Sequence, residues 1–312
     1  MEKVLVTGGA GYVGSVLVPM LLEKGYDVTV FDSLMYGGDG ILPLFHNDNF
    51  HFIKGDVRDG NALKKAISNA DSIVHLAAIV GYPACKRDPV LAKQINEDSS
   101  KFIADNISPE QLVVFTSTGS NYGAVTDEIC TEETPLSPLT VYGETKTNAE
   151  RHFLANKSCN VIIYRYATAF GVSPRMRLDL LINDFVYQMV KNNYLLIYEK
   201  DFKRTFIHVR DIARSIIFAL ENRHKMARQV YNVGDNGMNY SKEDIALILK
   251  KYKDYYLHFA DSGKDEDQRN YEVSYKKINS LGFRTVIDIH KGIKELIRAM
   301  EVIQVPRAYS NV

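Results

Sequence analysis

The chain is short of nearly everything that marks a specialised class of protein. Its three cysteines, Cys85, Cys130 and Cys159, stand 45 and 29 residues apart. That odd number and those spacings give no closed disulfide framework, zinc ribbon or redox pair. The eight histidines are scattered without metal-ligand spacing, so no metal site is expected. No apolar stretch approaches the roughly 18 residues of a membrane span. The strand-like Val4-Leu5-Val6 comes too early for a signal peptide to precede it. Net charge is absent as well: 38 basic side chains meet 38 acidic ones, whereas nucleic-acid binders carry a basic excess. There is no internal repeat and no low-complexity linker. These absences predict a reduced, cytoplasmic protein that binds neither nucleic acid nor membrane.

What is present is core material. With 46% hydrophobic and 24% charged residues, the chain is not disordered. Its 312 residues fit one large or two closely joined domains. The zero charge conceals two unlike halves, −9 over residues 1–150 and +9 over 151–312. The basic half suits an anionic partner, though an incidental surface asymmetry explains the same numbers.

Short apolar runs alternate with helical patterns through the first half. Val4–Thr7, Asp27–Phe31, Phe50–Ile53, Ser72–His75, Leu112–Phe115 and Val161–Tyr164 read as buried strands. Val13–Lys24, Ala62–Asn69, Val90–Ile103 and Tyr142–Leu154 read as amphipathic helices between them. This alternation predicts an α/β, Rossmann-type doubly wound parallel sheet. After about residue 170 the rhythm turns irregular, with helices at Leu178–Lys191 and Asp211–Glu221 and strands at Leu195–Tyr198 and Val230–Val233. A closing helix is expected at Ile287–Glu301. The expected division is a dinucleotide domain over 1–170 and a smaller, interleaved C-terminal substrate lobe over 171–312, with some segments returning to the sheet.

The first strand runs into Gly8-Gly9-Ala10-Gly11-Tyr12-Val13-Gly14, and a helix follows. Read as Gly9-x-Gly11-x-x-Gly14, or as the variant on Gly8, Gly11 and Gly14, this is a dinucleotide fingerprint. Glycines let the backbone approach a pyrophosphate, which rests on the helix N-terminus. Asp32 ends the second strand, where a carboxylate accepts both ribose hydroxyls and repels a 2′-phosphate. Ser33-Leu34-Met35-Tyr36 supply no cation to neutralise such a phosphate, so the expected cofactor is NAD, not NADP. Tyr142 and Lys146 stand four apart, on one helical face. A tyrosine of pKa near 10 is a poor base, and a neighbouring ammonium favours its phenolate. Alone, that spacing more often marks a surface pair.

Further motifs accompany it in order: Gly55-Asp56-Val57-Arg58-Asp59, His75-Leu76-Ala77-Ala78 and Phe115-Thr116-Ser117-Thr118-Gly119-Ser120. Together they resemble the extended short-chain dehydrogenase/reductases, and more narrowly the NAD-dependent nucleotide-sugar epimerase/dehydratase family, from Val4 to about Phe283. The resemblance implies that Thr118 binds the sugar C4 hydroxyl, Tyr142 takes its proton, and Lys146 tunes Tyr142 and holds the nicotinamide ribose. It places Gly8, Gly11, Tyr12, Val13, Gly14 and Asp32 on the cofactor, Asp56 and Val57 at adenine, Leu76-Ala77-Ala78 along the dinucleotide, and Ser117 and Tyr166 beside nicotinamide. Thr168, Asn183, Arg204 and Arg269 are implied to contact a nucleotide-diphosphate sugar. The family also implies a homodimer, for which Val90–Ile103 and Tyr142–Leu154 offer apolar positions that a core explains equally well.

Departures from the family narrow the chemistry. The 4,6-dehydratases carry an Asp-Glu pair after the catalytic Thr, where this chain has Gly119 and Ser120. Lacking that acid and base, elimination across C5–C6 is not expected. Val80 stands where UDP-galactose 4-epimerases often carry Lys, and Lys264 where Arg is frequent. The segment Val80-Gly81-Tyr82-Pro83-Ala84-Cys85 and the Gly119-Ser120 pair look most like GDP-heptose 4-dehydrogenases of bacterial capsule synthesis. The resemblance therefore implies oxidation of a GDP-manno-heptose at C4. The alternatives are a UDP-glucose-type 4-epimerase and a non-catalytic NAD-binding redox sensor.

Overall fold

A computed structural model describes residues 1–260, 270–303 and 311. The apolar runs of the first half become β1 (Lys3–Thr7), β2 (Asp27–Asp32), β3 (Phe50–Lys54), β4 (Ser72–His75), β5 (Leu112–Thr118) and, beyond β6 (Ala124–Cys130), β7 (Asn160–Tyr166). From the second half come β8 (Thr168–Phe170), β9 (Tyr194–Tyr198), β10 (Lys203–His208) and β11 (Gln229–Val233). Seven strands form one parallel sheet in the order β11-β7-β5-β4-β1-β2-β3. The order reverses between β1 and β4, and the crevice at such a switch point is where doubly wound sheets bind ligands.

Period-2 alternation sends each strand's side chains to opposite cores. Leu5, Phe31, Ile73, Val113 and Phe115 face α2 (Gly60–Ile67), α5 (Ser99–Asn106) and α6 (Val141–Ala155) through Leu63, Ile67, Ile103 and Phe153. Val4, Val6, Val28, Val30 and Val114 face α1 (Gly14–Glu23) and α8 (Val209–Glu221) through Leu17, Leu21, Ile212 and Ile216. Each fully buried side chain of this kind contributes about 1.5–3 kcal/mol.

The helix expected at Val90–Ile103 is broken into three. After α3 (Tyr82–Arg87), α4 (Pro89–Lys93) starts on an Asp88 cap, a π-turn spans Gln94–Asp98, and α5 follows. Asn96, in the π-turn, is buried and bonds Ile79 in the loop after β4 and Thr145 on α6; such turns are common at functional sites.

The second lobe has its own core, which gathers Phe185, Val186, Leu195, Ile197, Phe206, Ile245, Ile293 and Leu296. Here β10 pairs with β8 and with β12 (Asn239–Ser241), while β13 (Tyr256–Ala260) lies beside β9 and β14 (Asn270–Val273) beside β6. The helix expected at Leu178–Lys191 is α7 (Leu181–Tyr187) plus a second π-turn, Gln188–Asn192. No helix among the described residues is long and apolar enough to cross a membrane, and no cluster of metal-ligating side chains occurs among them.

The lobes are sewn together at the N-terminus of α1. Tyr12 donates its hydroxyl to the Gly171 carbonyl at 2.8 Å, and Ser173 donates to the Tyr12 carbonyl at 2.7 Å. Ser15 Oγ lies 3.0 Å from Ser173 Oγ and accepts from the Arg175 N–H at 3.2 Å.

Candidate active site

A cleft of ≈ 370 Å³ opens above the C-terminal ends of the strands. On one side it is made of backbone. Gly8 has φ +72°, and a Cβ there would lie 2.7 Å from the Ala77 nitrogen. A Cβ on Gly14 would strike Gly9 and its carbonyl at 2.5 Å. The cradle therefore accepts only glycine, and it opens at the N-terminus of α1, the positive end of the helix dipole. That arrangement fits a dinucleotide pyrophosphate, and Tyr12 and Val13 line the same wall.

Asp32 lies beside the cradle and braces it, accepting from Ala10 N–H at 3.0 Å and Leu34 N–H at 2.8 Å. Burial raises its carboxyl pKa above the usual value, and those two hydrogen bonds offset only part of the rise. Asp56 lines the cleft too, but Arg58 holds its carboxylate bidentately (Nε 3.0 Å, Nη2 2.6 Å) and keeps its pKa below the usual range. Val57, Leu76, Ala77 and Ala78 complete this side. The 76–80 loop is pinned from behind, where Asn96 accepts from Ile79 N–H at 2.8 Å and donates to its carbonyl at 3.0 Å. His75, fully buried between Thr7 (2.7 Å) and Ser100 (3.1 Å), has its pKa driven down to about 3 by desolvation and is neutral.

At the other end of the cleft Thr118, Tyr142 and Lys146 come together. Thr140 caps α6 through the Gly143 N–H, which puts Tyr142 in the first turn and Lys146 one turn later. Lys146 is 2% exposed, and its ammonium sits 4.2 Å over the Phe115 ring. Desolvation drives its pKa down to about 7, against the upward pull of Glu150. Glu150 is one turn further along α6 and 1% exposed. It receives Arg165 (Nη2, 2.8 Å), Asn121 (2.7 Å) and the Ser117 hydroxyl. The charged core behind Thr118, Tyr142 and Lys146 is thus an ion pair. Its signal was legible in the continued spacing Tyr142-x-x-x-Lys146-x-x-x-Glu150, and sequence reading missed it.

The remaining expected residues divide. Ser117 and Tyr166 line the cleft, but their hydroxyls are engaged elsewhere, Ser117 with Glu150 and Tyr166 with Ser215 at 2.8 Å. Thr168 and the buried Arg204 also line it. Asn183 requires correction as a diphosphate contact. It is fully buried, accepts from Gly171 N–H at 2.9 Å and donates to the Arg177 carbonyl at 2.8 Å. It holds the shape of the 171–177 loop and is not part of the cleft lining. Arg269 and Lys264 lie outside the described residues. The cleft also holds residues that sequence reading missed: Tyr36, Arg175, Arg177 and Asp179. The signal there was the dense Arg175-x-Arg177-x-Asp179 run just after a strand.

This geometry has known counterparts. The family model described as NAD dependent epimerase/dehydratase family matches residues 4–234. A protein of Methanocaldococcus jannaschii named putative UDP-glucose 4-epimerase is 27% identical over 96% of this chain and 98% of its own. Among solved structures, UDP-glucuronic acid 4-epimerase from Bacillus cereus, in complex with UDP-glucuronic acid and NAD, superposes with TM-score 0.85. It is 25% identical and covers 96% of this chain and 99% of its own. The dTDP-glucose 4,6-dehydratase DesIV from Streptomyces venezuelae, with NAD bound, has TM-score 0.85 and 25% identity over 95% of this chain and 96% of its own.

Proposed function

The chain belongs to the NAD dependent epimerase/dehydratase family, and from that premise we propose that it oxidises C4 of a nucleotide-diphosphate sugar to the ketone. It is an NAD-dependent enzyme of the nucleotide-sugar epimerase/dehydratase class. When bound, NAD supplies the acceptor for the hydrogen and electron pair that leave C4. The chain's own residues do the rest. The glycine cradle and Asp32 hold the adenosine-diphosphate end, and Thr118 hydrogen-bonds the C4 hydroxyl. Tyr142 takes the hydroxyl proton as C4 becomes a carbonyl, and the Lys146 cation one turn away favours the phenolate. Arg204 and Thr168, across the cleft, are the proposed substrate contacts, with Arg269.

The observation that carries this reading is the pairing of Thr118, Tyr142 and Lys146 with a neighbourhood that cannot eliminate water. The dehydratase acid–base positions are Gly119 and Ser120. A side chain at 119 would press on the Tyr271 hydroxyl at 3.2 Å and the Tyr166 carbonyl at 3.3 Å. Ser120 Oγ is engaged with Thr118 Oγ1 at 2.9 Å. The chemistry therefore stops at C4.

The finer reading is a 4-dehydrogenase that acts on a GDP-manno-heptose in bacterial surface-polysaccharide synthesis, supported by the Val80–Cys85 segment. The second reading, 4-epimerisation, is favoured by the epimerases among its relatives. Incubation with GDP-, UDP-, dTDP- and CDP-sugars, followed by mass spectrometry and absorbance of reduced cofactor, separates them. A dehydrogenase gives one reduced cofactor per keto product, and an epimerase gives a C4 epimer with no net reduction. Tyr142→Phe is expected to lower kcat by about 10²–10⁴-fold while NAD stays bound. A variant that retained its rate would overturn the assignment of Tyr142. A cytoplasmic homodimer paired near the exposed Val90 and Leu154 belongs to the same proposal, and light scattering tests it.

A further inference from the structure

We propose that Arg175, contributed by the second lobe, is a cofactor-binding residue that neutralises the NAD pyrophosphate. Its backbone N–H is bonded to Ser15 Oγ in the first turn of α1, so the residue sits at the helix end where a pyrophosphate rests. Its side chain lines the cleft beside Asp32 and Tyr36. It is only 6% exposed, yet Nε and Nη2 find no acceptor among the described residues. The guanidinium lies over the Tyr36 ring at 4.4 Å. A ring face attracts the cation but takes none of the in-plane N–H groups. A guanidinium cannot discard its charge, so buried donors left unpaired are costly until an anion meets them.

The other cations of the cleft are placed differently. The phosphate loop, residues 7–16, contains no basic side chain. Lys146 is at the opposite end over Phe115. Arg177 is already bidentate to Asp179, at 3.1 and 2.6 Å. Arg204 stands on β10, in register with Tyr240. Arg175 is thus the cation set beside the backbone cradle, and a pyrophosphate brings two negative charges to that place. A 2′-phosphate would use the same chemistry, but Asp32 shares this end of the cleft and repels it. The inference rests on the NAD dependence of the family and not on which sugar is oxidised.

Calorimetric titration of NAD-stripped enzyme with NAD, ADP, adenosine and NADP tests it. R175A is expected to weaken NAD and ADP by about ten- to a hundredfold, the range of a charge-assisted hydrogen bond. Adenosine, which lacks the diphosphate, should shift less than about twofold on the same grounds. R175K should recover part of the loss, and R175Q carries the same expectation as R175A if the alanine variant does not fold. Wild-type ADP binding should weaken more steeply with salt than that of R175Q. Unchanged ADP affinity, an equal loss with adenosine, or a loss confined to NADP would each overturn the proposal.

Discussion

Two charge clusters along the cleft behave in opposite ways. Around Lys146 the charges are deep: Lys146, Glu150 and Arg165 are all under 7% exposed. Desolvation dominates there and drives the Lys146 pKa from the ordinary 10.5 down to about 7. At the Asp56–Arg58 pair, elsewhere on the cleft wall, the charges are shallow. Asp56 and Arg58 keep 32% and 43% of their side-chain surface, and a direct hydrogen bond, not burial, sets the titration of Asp56. A deep charge is held by a network that fails as a unit, whereas a shallow one shares its stabilisation with water.

Three substitutions sharpen that contrast. The largest effect is expected from Glu150→Gln, which leaves Arg165 buried without its counter-charge. Removing one partner of such a pair costs about 3–5 kcal/mol, read from the urea midpoint, and a loss under about 1 kcal/mol would mean that the core tolerates the bare guanidinium. Next is Lys146→Met, which under the proposed function is expected to abolish activity and, by removing a buried charge, to stabilise the fold. Below about pH 7 the folded enzyme must carry a buried ammonium. Between that value and the ordinary 10.5, unfolding takes up a proton, so wild-type stability rises with pH across the window. The melting-temperature advantage of the variant is therefore greatest near pH 6.5 and vanishes toward pH 10.5. A gain that grows with pH would contradict the burial argument. The smallest effect is from Asp56→Asn, about 0–1 kcal/mol at neutral pH for an exposed pair. Because the Asp56 pKa is lowered, this stabilisation exists above the ordinary carboxylate pKa and is lost as pH falls through the folded value. Wild type and variant should accordingly melt alike in strong acid.

The same contrast explains what the sequence disclosed. The strands of the parallel sheet are buried on both faces and read as unbroken apolar runs, so β1 to β5 and β7 were visible. Strand β10 begins Lys203-Arg204-Thr205 because one end borders the cleft, and no apolar run marks it. The π-turn at Gln94–Asp98 leaves helical periodicity intact on both sides, so nothing signalled that Asn96 would reach Ile79. The glycine cradle was legible because only glycine fits it, a constraint written in one residue type. Asn183 was misread because an amide can serve a ligand or a loop, and only the packing of α7 shows which. Glu150 and Arg175 were missed because a charged side chain looks like surface until the structure encloses it.

The stitching between Tyr12, Ser15, Gly171 and Ser173 crosses the boundary at residue 170 that divides the expected domains. An engineer grafting the lobe of one relative onto the dinucleotide half of another would cut donor from acceptor at every stitch. The transferable part is therefore discontinuous, and the 171–175 loop must travel with the first turn of α1. Chimaeras that carry both together should assemble, while those that honour the chain boundary alone inherit a seam with mismatched thread.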